Sequence, residues 1–140
     1  MAAELKVVDA SAIAAVLFNE PSADEVAERL SGCRLCAPPL LELEVASVCV
    51  KKIRRQPESE EGLRAALSLF GALDLHFADA PVPEVVELAL LTGLTPYDAA
   101  YLFLARALDV ELVTLDRRLA RVAQGVETGE ASPRITTLSW

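Results

Sequence analysis

Short β-branched runs alternate with helical stretches along almost the whole chain, and this alternation restricts the fold more than any other feature. Leu5-Lys-Val-Val8 reads as a strand that stops abruptly at Asp9, and Ala10 to Phe18 reads as a helix. A second helix is expected from about Ser22, where Ser22-x-x-Glu25 has capping-box spacing, to Ser31-Gly32. Arg34 to Ala37 is the second strand, closed by Pro38-Pro39, and Leu40 to Arg55 is helical up to Pro57. A helix over Ser59 to Phe70 precedes a strand near Leu73 to Phe77. Pro83 opens a helix through Leu91, ended by Thr92-Gly93. Thr95-Pro96 starts another, with a hydroxyl cap and then proline at the first helical position, and it runs to Leu108. Glu111 to Thr114 is a strand, Asp116 to Ala123 a helix, Gln124 to Pro133 a loop and Arg134 to Leu138 a last strand. Such alternation predicts an α/β fold with a central, mostly parallel sheet covered by helices on both faces.

The 140 residues suit one domain spanning 1–140, and 53% hydrophobic with 24% charged residues is the balance of a folded chain. The longest stretches without a charge, Ala10 to Asn19 and Leu88 to Tyr97, have ten residues. A membrane-spanning helix needs about twenty, so no membrane segment is expected. No basic stretch precedes an apolar one near Met1, so the expected setting is the cytoplasm. Cys33-x-x-Cys36 has the spacing of a zinc half-site, but a full site would have to recruit Cys49 and His76, the single histidine. Ordinary small buried thiols are the simpler reading, and one histidine gives little support to nucleophilic triads. The six glycines do not cluster, which argues against phosphate-cradling loops.

In parallel α/β sheets, ligands gather at the carboxyl ends of the strands. Asp9 follows the first strand and Asp116 follows the strand 111–114. If these strands are parallel neighbours, both acids emerge at one edge. Asp98 lies in the first turn of a helix whose body, Ala99 to Ala105, has no charge, so it points into or beside the core. Singly, each acid has a structural explanation, as a helix cap or a partner of the helix dipole. Jointly, three aspartates within ~4 Å would repel by about 4 kcal/mol per pair at an effective dielectric near 20. A cation would relieve that, and hard oxygen ligands select Mg²⁺ or Mn²⁺. A fourth acid would be Glu42 or Glu44. Glu44 shares a polar helical stripe with Ser47, Lys51, Arg54 and Arg55, whereas Glu42 falls near Cys49 and Ile53, and the helical wheel does not choose between them.

Val7-Val-Asp-Ala-Ser11, Pro39 to Ser47, Leu94-Thr-Pro-Tyr-Asp-Ala-Ala-Tyr101 and Leu112-Val-Thr-Leu-Asp116 resemble the successive motifs of PIN domains. The closest similarity is to the VapC toxins of type II toxin–antitoxin systems. The resemblance extends from Lys6 to about Leu119 and implies a single PIN-like domain. Its acids map onto Asp9, Glu44, Asp98 and Asp116, and the glutamate before Val-Ala-Ser favours Glu44 over Glu42. Ser11 and Thr114 match small hydroxyl residues that would orient a carboxylate or a water. The implied activity is an endoribonuclease that hydrolyses RNA with Mg²⁺ or Mn²⁺. Asp9, Asp98 and Asp116 would be the main metal ligands, with Glu44 a further ligand or the residue that positions the attacking water. A homodimer and a cognate VapB-like antitoxin, offering a basic side chain to the acids, are implied as partners. A PIN-fold module that binds RNA or protein without cutting is the alternative.

The net charge of −8 opposes tight nonspecific binding to a polyanion. Yet 7 of the 13 basic residues fall in two short runs, Lys51, Lys52, Arg54, Arg55 and Arg117, Arg118, Arg121. They are read either as solvated faces or as phosphate contacts flanking the acids, with Lys51, Arg55, Arg117 and Arg118 the RNA-binding candidates. Tyr97 and Tyr101 lie one helical turn apart beside Asp98, and packing accounts for at least one of them. Apolar positions on the helices 10–18 and 40–53 are either core or a seat for an antitoxin helix.

Overall fold

The computed structural model describes residues 3–125. Its sheet has four parallel strands, β1 (Leu5–Val8), β2 (Arg34–Ala37), β3 (Leu75–Phe77) and β4 (Leu112–Val113), in the order β3-β2-β1-β4. Around it lie α1 (Ala10–Leu17), α2 (Ala23–Leu30), α3 (Leu40–Arg55), α4 (Glu60–Ser68), α5 (Val82–Thr92), α6 (Pro96–Leu108) and α7 (Arg117–Ala123). Val7 and Val8 are consecutive on β1 and therefore face opposite sides of the sheet, and both are 0% exposed. Helices thus cover both faces, as an all-parallel sheet requires.

The expected elements form with their boundaries largely intact, and the differences have local causes. Ser22 precedes α2, but its side chain makes no capping bond, so the capping box does not close. The helix expected over 59–70 is an α-helix only from Glu60 to Ser68, with single turns of 3-10 helix at Pro57–Ser59 and Leu69–Ala72. Pairing along β3 begins at Leu75, opposite Leu35, so Leu73 and Asp74 belong to the preceding turn. On β4, the Thr114 side chain turns to Asp9, and Leu112 and Val113 remain in the ladder. The loop and strand expected over 124–133 and 134–138 lie, beyond Gly125, outside the described residues.

The core is aliphatic: Ile13, Val26, Leu41, Val45, Leu88, Leu102 and Leu119 pack with the sheet valines. Helix α6 is its centre, with every residue from Ala99 to Ala105 buried. The chain turns by 105° between α5 and α6. Gly93 makes that corner, ending α5 in the left-handed conformation at φ 77°. A Cβ built there would lie 3.0 Å from the Arg118 Nη2. No single helix among the described residues is long and apolar enough to cross a membrane.

Order β2-β1-β4 makes the β1/β4 junction the place where the chain reverses its direction of travel across the sheet. Helices that follow β1 and β2 start at the carboxyl edge. Helix α6, whose far end feeds the amino end of β4, also starts there. Gly93→Ala should destabilise the fold by about 1–2 kcal/mol, the cost of a left-handed alanine, measured as a lowered urea midpoint. Gly93→Asn should lose less, because asparagine tolerates that conformation.

Candidate active site

Asp9 is the first residue after β1 and the N-cap of α1; the residue is 6% exposed, and its Oδ1 accepts from the Ala12 amide at 3.1 Å. Ser11 Oγ donates to the same oxygen at 2.6 Å, and Thr114 Oγ1 donates to Oδ2. The two hydroxyls also accept from the turn that follows β4: Leu115 N donates to Ser11 Oγ at 2.9 Å and Asp116 N to Thr114 Oγ1 at 3.0 Å. A buried carboxylate is thereby tied into the backbone of two neighbouring strands. Hydrogen bonds to charged groups contribute about 1.5–3 kcal/mol each.

The other acids reach the same edge by different routes. Asp116 is the N-cap of α7, its Oδ1 accepting from Leu119 N at 3.0 Å. Asp98 stands in the first turn of α6, where its own amide donates to Thr95 Oγ1 at 3.1 Å, the expected cap. Glu44 is one turn into α3 and half-buried, and Tyr101 donates its phenolic O–H to Glu44 Oε1 at 2.5 Å. Glu42 is exposed on another side of α3, beside Phe70, Leu73 and Phe77. Of the two glutamates, Glu44 is the one whose carboxyl feels the charges of Asp98 and Asp9.

Charge coupling links the group. Burial pushes the Asp9 carboxyl above the usual range; its three hydrogen bonds oppose the rise and the Asp116 charge adds to it. Glu44 is raised by burial, against the pull of the Tyr101 bond, with Asp98 and Asp9 adding to the rise. Asp98 is raised by burial and by Asp116 and Asp9, while Thr95 and Arg118 act in the other direction. Arg118 holds its place by donating to the Gly93 carbonyl at 3.0 Å.

The acids do not close into the tight cluster that a separation of ~4 Å would make. Among the described residues, no group of three or more His, Cys, Asp or Glu side chains is arranged to hold a metal ion as placed. The reason is visible in their partners: Asp9, Asp116 and Glu44 each have an oxygen turned toward a protein donor. In donor chemistry the set still fits Mg²⁺ or Mn²⁺, being made of carboxylate oxygens with no thiolate or imidazole. Each carboxylate has about four lone-pair sites, and these bonds leave some of them open on every one.

The remaining expected residues divide. Lys51, Arg55, Arg117 and Arg118 are all exposed. Lys51 is seven residues beyond Glu44, about 10 Å along α3. Lys52 is engaged elsewhere, with Glu20 at 2.6 Å and over the Phe18 ring at 5.7 Å. The apolar positions of α1 are core, whereas Leu43 and Val50 on α3 are exposed. Tyr97 is exposed, and Tyr101 is the residue whose part in the site the sequence reading missed. The available signal was a phenol inside a helix otherwise made of apolar core, since a buried Tyr O–H needs a partner.

A model of the PIN domain matches residues 6–125. Ribonuclease VapC3 of Pyrobaculum aerophilum is 37% identical over 119 residues, covering 81% of this chain and 91% of its own. VapC ribonuclease Mb0985 of Mycobacterium bovis is 34% identical over 134 residues, 94% of this chain and 97% of its own. The crystal structure of PAE2754 from Pyrobaculum aerophilum matches the fold with a TM-score of 0.62 at 26% identity, over 99% of this chain and 98% of that one.

A carboxyl whose value is raised by folding binds its proton more readily in the native state. Stability therefore falls as pH rises from the ordinary carboxylate value, about 4, through the raised one. Asp9→Asn retains a good helix cap and removes the buried charge. In EDTA at neutral pH it should melt a few degrees above the wild type, corresponding to about 1 kcal/mol, and its stability should vary less with pH across that window. A lower melting point would mean that the Thr114 bond outweighs the cost of burial.

Proposed function

Because the chain belongs to the PIN-domain family, among its VapC-like members, we propose that it is a Mg²⁺- or Mn²⁺-dependent endoribonuclease and the toxin of a VapBC-type pair. The observation that carries this reading is the meeting of Asp9, Asp98, Asp116 and Glu44 at one sheet edge, with Asp9 buried and clamped. The whole chain, 1–140, is taken as one domain acting in the cytoplasm.

Asp9, Asp98 and Asp116 would hold the ion, and Glu44 would be a further ligand or hold the attacking water. A bound divalent ion supplies charge neutralisation at the scissile phosphate and acidifies water for attack. Ser11 and Thr114 fix the Asp9 carboxylate by donating to its two oxygens. Thr114 and Asp116 are joined through the Asp116 amide, which couples the positions of two of the acids.

Lys51 and Arg55 on α3, with Arg117 and Arg118 on α7, would grip phosphates on either side of the acids. Support comes from the pull of Arg118 on Asp98 and from the exposure of all four. Protein partners, a VapB-like antitoxin and a second copy of the chain, suit the apolar side chains left outside: Leu43 and Val50 on α3, and Val82, Val86 and Leu90 along α5. A basic antitoxin side chain placed among the acids would substitute for the cation's charge.

Incubation with RNA should give cleavage with added Mg²⁺ or Mn²⁺, none in EDTA, and none with Asp9→Asn. No cleavage with either metal or in EDTA would leave a module that binds without cutting. Charge reversal at both Arg117 and Arg118 should weaken RNA binding and flatten its dependence on salt, by about 0.7 in the log–log slope per lost phosphate contact. An unchanged slope removes them from the interface.

A further inference from the structure

Tyr101 is 1% exposed in the middle of the most buried helix, yet its hydroxyl crosses to α3 and donates to Glu44 Oε1 at 2.5 Å. Its neighbours on α6, from Ala99 to Ala105, are Ala, Leu and Phe, with no second polar side chain. A phenylalanine would fill the same volume, so packing alone does not call for the oxygen. A lone phenol there would carry a burial cost without its partner. Glu44 also differs from the three aspartates. Each aspartate sits at a strand end or a helix start, with its short side chain held close to a cap. Glu44 sits inside a helix on a longer, freely rotating side chain, and the Tyr101 bond is what directs it. Asp98 and Tyr101 are three residues apart on α6, so one face of one helix presents an acid and the device that aims another.

We infer that Tyr101 is a positioning residue: its O–H holds Glu44 by Oε1 and leaves Oε2 directed into the cleft toward Asp9 and Asp98. This inference rests on the metal-dependent nuclease reading. Without the Tyr101 bond, Glu44 is free to rotate along α3 toward solvent.

The test is Mn²⁺ binding to the full chain, stripped with EDTA and followed by calorimetric titration, with circular dichroism melts as the control for folding. Tyr101→Phe removes one oxygen from the core and should weaken Mn²⁺ binding about tenfold, the lower end of what loss of a ligand's supporting bond costs. In a Glu44→Ala background, where Asp9, Asp98 and Asp116 remain to hold the ion, adding Tyr101→Phe should change the affinity no further. Wild-type affinity in Tyr101→Phe overturns the inference and leaves the nuclease reading standing. An equal loss in the Glu44→Ala background also overturns it, because the effect then runs through the fold and not through Glu44. Absence of Mn²⁺ binding by the wild type overturns the metal-dependent reading and this inference together.

Discussion

The parallel pairing of β1 with β4 is the constraint on which the rest depends. Val7 and Val8 stand opposite Leu112 and Val113, and the ladder continues into the bond from Asp9 N to the Val113 carbonyl at 3.2 Å. That register sets Asp9 beside Thr114 and makes a buried carboxylate possible, because the strand that buries it also supplies a hydroxyl to satisfy it. One side chain therefore starts α1, joins two strands and anchors the acidic edge. A one-residue slip of β4 would turn Thr114 to the other face of the sheet and leave Asp9 buried with fewer donors.

The remaining acids follow from topology. In a parallel sheet the helices after the strands begin at the carboxyl edge, which accounts for Glu44 near the start of α3. A helix that leads into the next strand must run back across the sheet, which accounts for Asp98 at the start of α6. The reversal of strand order beside β1 is where a parallel α/β sheet opens a crevice at its carboxyl edge. The amino-terminal dipoles of these helices ease the concentration of negative charge there.

Most of this was legible in the chain. The runs at 5–8, 34–37 and 111–114 are β-branched or closed by proline, the last shortened in the structure to Leu112–Val113; Thr95-Pro96 and Pro38-Pro39 mark helix starts at the bounds found, Thr95 with its capping bond. Asp9 and Asp116 could be placed at one edge once their strands were parallel neighbours, which periodicity alone does not establish. What stayed hidden depends on side-chain direction. The helical wheel put Glu44 on a polar stripe and could not say that the stripe's first acid turns toward α6. Ser22 had the spacing of a cap but not its geometry, because its backbone at ψ 3° is not in the extended form that a cap adopts. The segment 57–72 has a helical composition, yet its ends tighten to 3-10 turns around Pro57 and Gly71. Convergence of the aspartates is what their places at strand ends and a helix start predict, but local donors decide each rotamer.

Both ends of the sheet carry acids, and they are treated in opposite ways. At the amino end Glu111 is exposed; partial loss of water would raise its carboxyl, yet the bonds from Arg29 and Lys6 outweigh that and hold it below the usual range. At the carboxyl end Asp9, Glu44 and Asp98 are all raised, and the charges acting on Asp9 and Glu44 are those of other carboxylates. Shortage of cations does not explain the contrast. Lys51, Arg54, Arg55 and Arg117 are exposed and in no ion pair among the described residues. The fold neutralises one edge by ion pairing and leaves the carboxyls of the other raised, with Arg118 easing only Asp98. The hydroxyls of Ser11, Thr114 and Tyr101 make that imbalance tolerable without removing it: they satisfy oxygens by hydrogen bonding and contribute no formal charge.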